Sequence, residues 1–332
     1  MTTTLKAFLA SSLLLASSVA TAETIERDIC VFDIAGKVGP TMAAMQDWRT
    51  EAMNWGLDAN LKVYTNESVV AEDLKAGVCD AALMTGIRAR QFNTYAGTLD
   101  SIGAIPTMEH MKIALQVLAH PNSADKLTAN SYEVMGIAPI GAAYIFVNDR
   151  RVNTLAKAAG KKVAVLDYDP TQAKLVAAAG ATPVPSDITN FAGKFNNGVV
   201  DVIAAPLVAY NVLELYKGLE PDGGIIDYPL VQLSIQLIAK GDRFPEEMAQ
   251  TSREYFYNSL DQVLEQVERE ASVVDDKWWV DIPAKDKQEY EVMMQDARDQ
   301  MRNEGHYDPD MLELLRKVRC KLNSSRAECT GG

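Results

Sequence analysis

Two short apolar runs end in an aspartate, CVFD at 30–33 and AVLD at 164–167. Asp33 and Asp167 are thus carboxylates at the ends of strand-like segments. There a side chain either steadies the turn that follows or meets a ligand. As a facing pair they would hold a protonated amine, with the rings of Tyr144, Tyr168 or Tyr210 adding cation–π attraction. The plainer alternative is that each orients the helix after it, as Asp169 does by standing directly before Pro170. Lys37 and Arg88 would suit an anion instead, and Arg88 equally suits pairing with the protein's own acids. The charge of a ligand stays open.

Catalytic motifs are missing. His110, His120 and His306 are scattered and keep no metal-type spacing such as HExxH. No GxSxG elbow supplies a serine nucleophile. Gly160-Lys161-Lys162 has Leu155 where a phosphate loop needs glycine, and no GxGxxG follows the first strand. The expectation is binding without catalysis, with no metal and no cofactor.

The aspartate-ended runs belong to a larger internal echo. Each is followed by Pro-Thr opening a helix, at Pro40-Thr41 and Pro170-Thr171. Farther on, GVCDAALMTG at 77–86 resembles GVVDVIAAPL at 198–207: a helix stop, a turn, an aspartate and an apolar strand. Two matches in the same order predict two similar lobes with a cleft between them. In open α/β sheets ligands sit beyond the carboxyl ends of the strands. One lip of the cleft then carries Asp33, Gly36, Lys37, Thr85, Gly86 and Arg88. The other carries Asp167, Tyr168, Asp169, Ala205, Pro206 and Tyr210, with Tyr144 at its floor.

The elements that must position these residues alternate. Strands are expected at 29–34, 61–64 and 79–84, with helices at 40–55 and 67–76 between them, which argues a mainly parallel sheet. Residues 101–105 read as a strand and 108–119 as a helix. Strands at 134–138 and 143–147 flank Pro139–Gly141, a candidate hinge. A second unit follows, with strands at 163–166 and 200–204, helices after Asp169, at 188–195 and from Pro206, and a β-rich stretch at 233–239. Beyond Pro245 the apolar spacing is helical, with Tyr290, Met293, Met294, Ala297 and Met301 on one face. This part is expected to wrap the first lobe, with Trp278 and Trp279 as packing.

The first residues form a leader. Lys6 is the lone charge in 1–22, an apolar run covers Ala7–Ala20, and Ala20-Thr21-Ala22 fits a small-residue cleavage site. Cleavage would leave 310 of the 332 residues and move the formal charge from −13 to −14 as Lys6 departs. Such a surface repels nucleic acid and anionic lipid. In an oxidising compartment four cysteines favour disulfides. Cys320 and Cys329 flank a short terminal loop, and Cys30 and Cys79 begin two strands, so 30–79 and 320–329 are the favoured pairings.

Over residues 130–240 the chain resembles the DctP-like solute-binding proteins of TRAP transporters. GKKVAVLDYDPTQAKLVAAAGATPVP, followed by NNGVVDVIAAPL, keeps the order of that family's GLKI strand, ALGA-x-P-x-P turn and GVVDG-x-ENP strand. The match lies closest to a divergent branch of solute-binding proteins, some of them labelled efflux-associated. The resemblance implies an α/β, two-lobed periplasmic binding protein fold (type II-like) with a C-terminal helical layer. Lobe I would span 23–138 plus 240–332, and lobe II 139–239. It also implies periplasmic capture of a small solute, delivered to membrane transporter subunits. The family's carboxylate-clamping arginine falls at Ala164 here, and its ENP asparagine at Ala205. The ligand-binding set expected from this chain's own residues is Asp33, Lys37, Thr85, Arg88, Tyr144, Asp167, Tyr168 and Tyr210. An exported accessory component of an envelope or efflux-type complex, with no capture role, is the alternative.

Overall fold

A computed structural model describes residues 24–329; the expected leader lies outside them. One sheet holds all the strands: β1 (Ile25–Phe32), β2 (Leu57–Tyr64), β3 (Ala81–Thr85), β4 (Thr128–Ala129), β5 (Tyr132–Val147), β6 (Lys162–Leu166), β7 (Thr182–Ser186), β8 (Val202–Pro206), β9 (Gly224–Ile226), β10 (Val231–Lys240) and β11 (Trp279–Val280). Its main order is β2-β1-β3-β10-β5-β8-β6-β7. Two parallel three-stranded units, β2-β1-β3 and β7-β6-β8, therefore flank the antiparallel pair β10 and β5.

The echo maps onto equivalent places in those units. Asp80, just before β3, accepts the Asp28 amide at 2.9 Å, and Asp201, just before β8, accepts the Lys162 amide at 2.8 Å. Each aspartate thus ties its strand to the start of the central strand beside it. Likewise the amides of Asp33 and Asp167 donate to the last carbonyls of the neighbouring strands, at Tyr64 and Ser186. The repeated sequence is, first of all, a repeated way of closing a parallel unit.

β5 is a single strand of 16 residues, where the sequence suggests two flanking a hinge. The irregularity at Pro139–Gly141 survives inside it. Leu233 pairs with Gly141 and Ser234 with Pro139, so Ile140 is bulged out, and Gly141 takes φ +92°. Proline has no amide for the ladder and glycine alone adopts that φ cheaply, so the bulge sits where the residues permit it.

The longer helices are α1 (Pro40–Ala52), α2 (Glu67–Ala76), α3 (Met108–Ala119), α4 (Pro170–Ala178), α5 (Glu246–Asn258), α6 (Leu260–Ala271), α7 (Ala284–Asn303) and α8 (Pro309–Leu322). α5 is fixed to β5 by a buried ion pair, Arg253 to Glu133 at 2.8 Å, and by Phe256, whose ring occupies the space a side chain on Gly136 would need. The C-terminal layer does not wrap the first lobe alone. Leu260 and Leu264 of α6 and Met311 and Leu315 of α8 join its core, but Tyr290, Met294 and Ala297 of α7 pack with Val147, Val202 and Ile226. α7 touches both halves because its apolar face packs with β5 and β8 and also with Ile102.

Residues 101–107 form no strand. The Ile102 and Ala104 carbonyls accept instead from the buried Arg298 and Arg319, at 2.9 and 2.6 Å. Arginine donors replace the ladder that the apolar sequence suggests.

Cys30 pairs with Cys79 and Cys320 with Cys329. The bridges span 49 and 9 residues. Chain entropy sets their relative worth, about 4 kcal/mol for the longer loop and about 2.5 kcal/mol for the shorter. Urea unfolding should therefore show a larger stability loss for C30S/C79S than for C320S/C329S. Equal losses would contradict this ranking.

Candidate functional site

A cavity of about 550 Å³ opens between the two parallel units. Phe32, Ile34 and Thr85 line it from the ends of β1 and β3, Leu166 and Tyr168 from the end of β6, and Pro206 from β8. Leu233 and Ile235 of β10 and the Ala138–Ile140 stretch of β5 contribute at the hinge. The cleft therefore lies where strand polarity places it, at the carboxyl ends of both units.

Its lips meet at Glu67. This residue opens α2, is 0% exposed, and gains from the positive end of that helix. Its carboxylate accepts the Thr85 hydroxyl at 2.8 Å and the Thr85 amide at 3.3 Å. From the opposite lip, the Tyr168 hydroxyl donates to the other oxygen at 2.5 Å. The Arg88 guanidinium lies 3.6 Å from that same oxygen and stacks 3.3 Å from the centre of the Tyr168 ring. Burial, then the charge of Glu67, pushes the Tyr168 hydroxyl well above its ordinary pKa, so it remains a donor.

A second contact crosses the cleft beside the first. Arg90 approaches Asp169 at 3.4 Å, while Asp169 also caps α4 by accepting the Thr171 amide and hydroxyl at 3.1 and 2.6 Å. Farther out, Lys174 of α4 pairs with Glu304, just past α7. Burying such charges costs roughly what their attraction returns. These contacts fix where the lips meet more than they fix how tightly.

Of the expected residues, the structure brings Thr85, Arg88 and Tyr168 together. Asp33 lines the cavity, but its two oxygens accept the Ala35 and Met42 amides at 2.8 and 2.9 Å, which anchors the start of α1. Gly39 is needed above it, since a Cβ there would fall 1.9 Å from the carboxylate. Asp167 is exposed, in the turn after β6, and does not line the cavity, whereas Leu166 and Tyr168 on either side of it do. The facing pair of aspartates is therefore not assembled. Lys37 is exposed. Tyr144 packs edge-on against Trp279, and Tyr210 is buried beside Tyr216 in the core of the second unit; neither lines the cavity.

Sequence reasoning passes over Glu67, Arg90 and Asp100. Glu67 looks like any first-turn acid, and Arg90 and Asp100 lie in short irregular turns without periodicity. Ala164 does line the cavity, so the position where the resemblance puts an arginine holds a methyl group.

The fold and the cleft are those of two-lobed TRAP periplasmic solute-binding proteins. A TRAP periplasmic solute-binding protein from Desulfovibrio salexigens, with bound orotic acid, superposes with a TM-score of 0.75 at 15% identity over 90% of this chain and 99% of its own. One from Haemophilus influenzae, with bound L-gulonate, gives 0.74 at 11% over 88% and 99%. The model of the AdeT 1/2 solute-binding proteins matches residues 31–331, and the chain belongs to that family. The solute-binding protein AdeT1 of Acinetobacter baumannii is 45% identical over 90% of this chain and 98% of its own, and AdeT2 of the same organism is 28% identical over 70% and 98%. The protein accordingly captures a small solute outside the cytoplasm and delivers it to a transporter. An accessory role without capture is not favoured.

Tyr168→Phe removes a hydrogen bond to a charged acceptor, worth about 1.5–3 kcal/mol, only in the closed arrangement. Ligand-free protein should then show a larger radius of gyration in small-angle scattering than wild type; an unchanged radius would contradict the latch. Asp33→Ala should cost about 1 kcal/mol in urea unfolding as a lost helix anchor. Asp167→Ala should stay within about 0.5 kcal/mol, and the reverse order would refute this placement.

Proposed function

We propose that the solute is predominantly apolar and either neutral or cationic, and that two lobes close over it. The lobes are 23–138 plus 240–332 and 139–239, the leader directs the chain to the periplasm, and no bond is made or broken. One observation carries the reading: among the described residues, the charged groups lining the cavity are Asp33, Asp47, Asp100, Asp169 and Glu270 against the single cation Arg269. Arg269 is mostly exposed and lies 3.7 Å from Glu265. The remaining lining is mostly aliphatic and aromatic, from Phe32 and Ile87 on one side to Val165 and Leu175 on the other.

The structural neighbours named above hold orotic acid and L-gulonate, both acids. A bidentate arginine is what orients a carboxylate in a cleft. Ala164 cannot do so, and neither Arg88, 3.6 Å from Glu67 with its Nε unpartnered, nor Arg90, beside Asp169, lines the cavity. An acid entering this cavity would leave its charge unpaired among carboxylates, which costs far more than apolar contact returns.

Thermal unfolding with a solute panel tests the proposal. A ligand at about one hundred times its Kd stabilises by about 2.7 kcal/mol, enough to raise the midpoint by several degrees. Neutral or cationic aromatic and aliphatic compounds should give such shifts, while succinate, gulonate and galacturonate should give none. Shifts from the acids alone would overturn it.

A further inference from the structure

We infer that Asp100 is the anchor for a protonated amine carried by the solute, the polar end of an otherwise apolar site. The inference rests on the apolar-solute reading above and names the class of solute within it.

Asp100 lines the cavity, is 3% exposed, and has no lysine or arginine nitrogen within 4 Å among the described residues. Its nearest cation, Arg90, is engaged with Asp169 and with the Gly97 carbonyl. The carboxylate is held from β10 alone, with the Ser234 amide donating to one oxygen at 3.0 Å and the Ser234 hydroxyl to the other at 2.6 Å. An ionised carboxylate accepts about four hydrogen bonds, so half its capacity is unused.

The surroundings sharpen what is missing. Gln236, two residues along the same face of β10, donates its amide hydrogens to the Ala96 carbonyl and the Ser234 hydroxyl oxygen, at 3.0 and 3.1 Å. Gln232, Ser234 and Gln236 alternate with the cavity-lining Val231, Leu233 and Ile235, so of this cluster Asp100 alone lines the cavity. The donors of Ser234 and Gln236 are spent, and the unused capacity of Asp100 is acceptor capacity. A ligand that completes this cluster must bring donors, and a buried carboxylate favours a donor with positive charge.

The place is built rather than incidental. Gly86 closes over it, since a Cβ there would come 2.5 Å from an Asp100 oxygen and 2.4 Å from the Ser234 hydroxyl. Ile102 and Leu230 line the cavity nearby, so an amine here would trail its apolar body along aliphatic wall. Burial pushes the Asp100 pKa up to about 7, against the Ser234 bonds and Arg90, as expected of a carboxylate without a counter-ion.

The test compares matched amines, alcohols and acids on two scaffolds, n-octyl and phenethyl, by calorimetric titration of the mature protein at pH 8. The amine should bind about tenfold or more tightly than the alcohol, the worth of one charge-assisted bond, and the acid more weakly than either. Asp100→Asn should abolish the amine's advantage while leaving the alcohol's affinity within about threefold, which also reports that the variant is folded. Alcohols that bind as well as amines to wild type would overturn this inference and leave the apolar-solute reading standing. Absence of binding by all three on both scaffolds would overturn both.

Discussion

A carboxylate with no access to water must be met on every side, and Glu67 is met only when both lips of the cleft are together. Thr85 and Arg88 come from its own unit, but the Tyr168 hydroxyl comes from across the cleft. The cations at the lips also face the protein's own carboxylates. Arg88 lies 3.6 Å from Glu67, with no hydrogen bond from its Nε, and Arg90 lies 3.4 Å from Asp169. On the proposed reading, closure and selectivity against acids would both follow from one constraint, the cost of leaving a buried charge unpaired. Because that cost is nearly balanced within the latch, most of the free energy that holds an apolar solute would come from contact along the cavity wall.

In the proposed closure, the strands that both lips share would carry the movement. β5 and β10 run through both units, and their ladder is broken where Ile140 is bulged between Pro139 and Gly141. Rotation there strains few hydrogen bonds, since the proline offers no amide and the bulged residue has no partner. α5 stiffens the strand on one side of this point through Arg253 and Glu133. α6 crosses it, with Val267 packed 3.0 Å from where a Cβ on Gly141 would stand.

Much of this was legible in the residues. The apolar runs ending at Asp33 and Asp167 mark two central strands, Pro40 and Pro170 open two helices, and the cysteine pairs are as expected, although Cys30 lies near the end of β1 rather than at its start. The echo pointed to equivalent units because Asp80 and Asp201 do the same backbone work in each. The site was less legible, for physical reasons. A strand end is read at a resolution of one residue, and that is the difference between Asp167, which faces solvent, and Tyr168, which faces the cleft. Glu67 is distinguished from other first-turn acids only by what folds over it. Residues 101–107 look like a strand because they are apolar, yet arginines from α7 and α8 take their carbonyls. Contacts between segments two hundred residues apart leave no local pattern to read.

Native mass spectrometry of the protein released from the periplasm, followed by identification of whatever small molecule leaves it on denaturation, reaches the central claim most directly. The released species should be an apolar compound that is uncharged or carries an amine. Recovery of a dicarboxylate or a sugar acid as the bound species would contradict it.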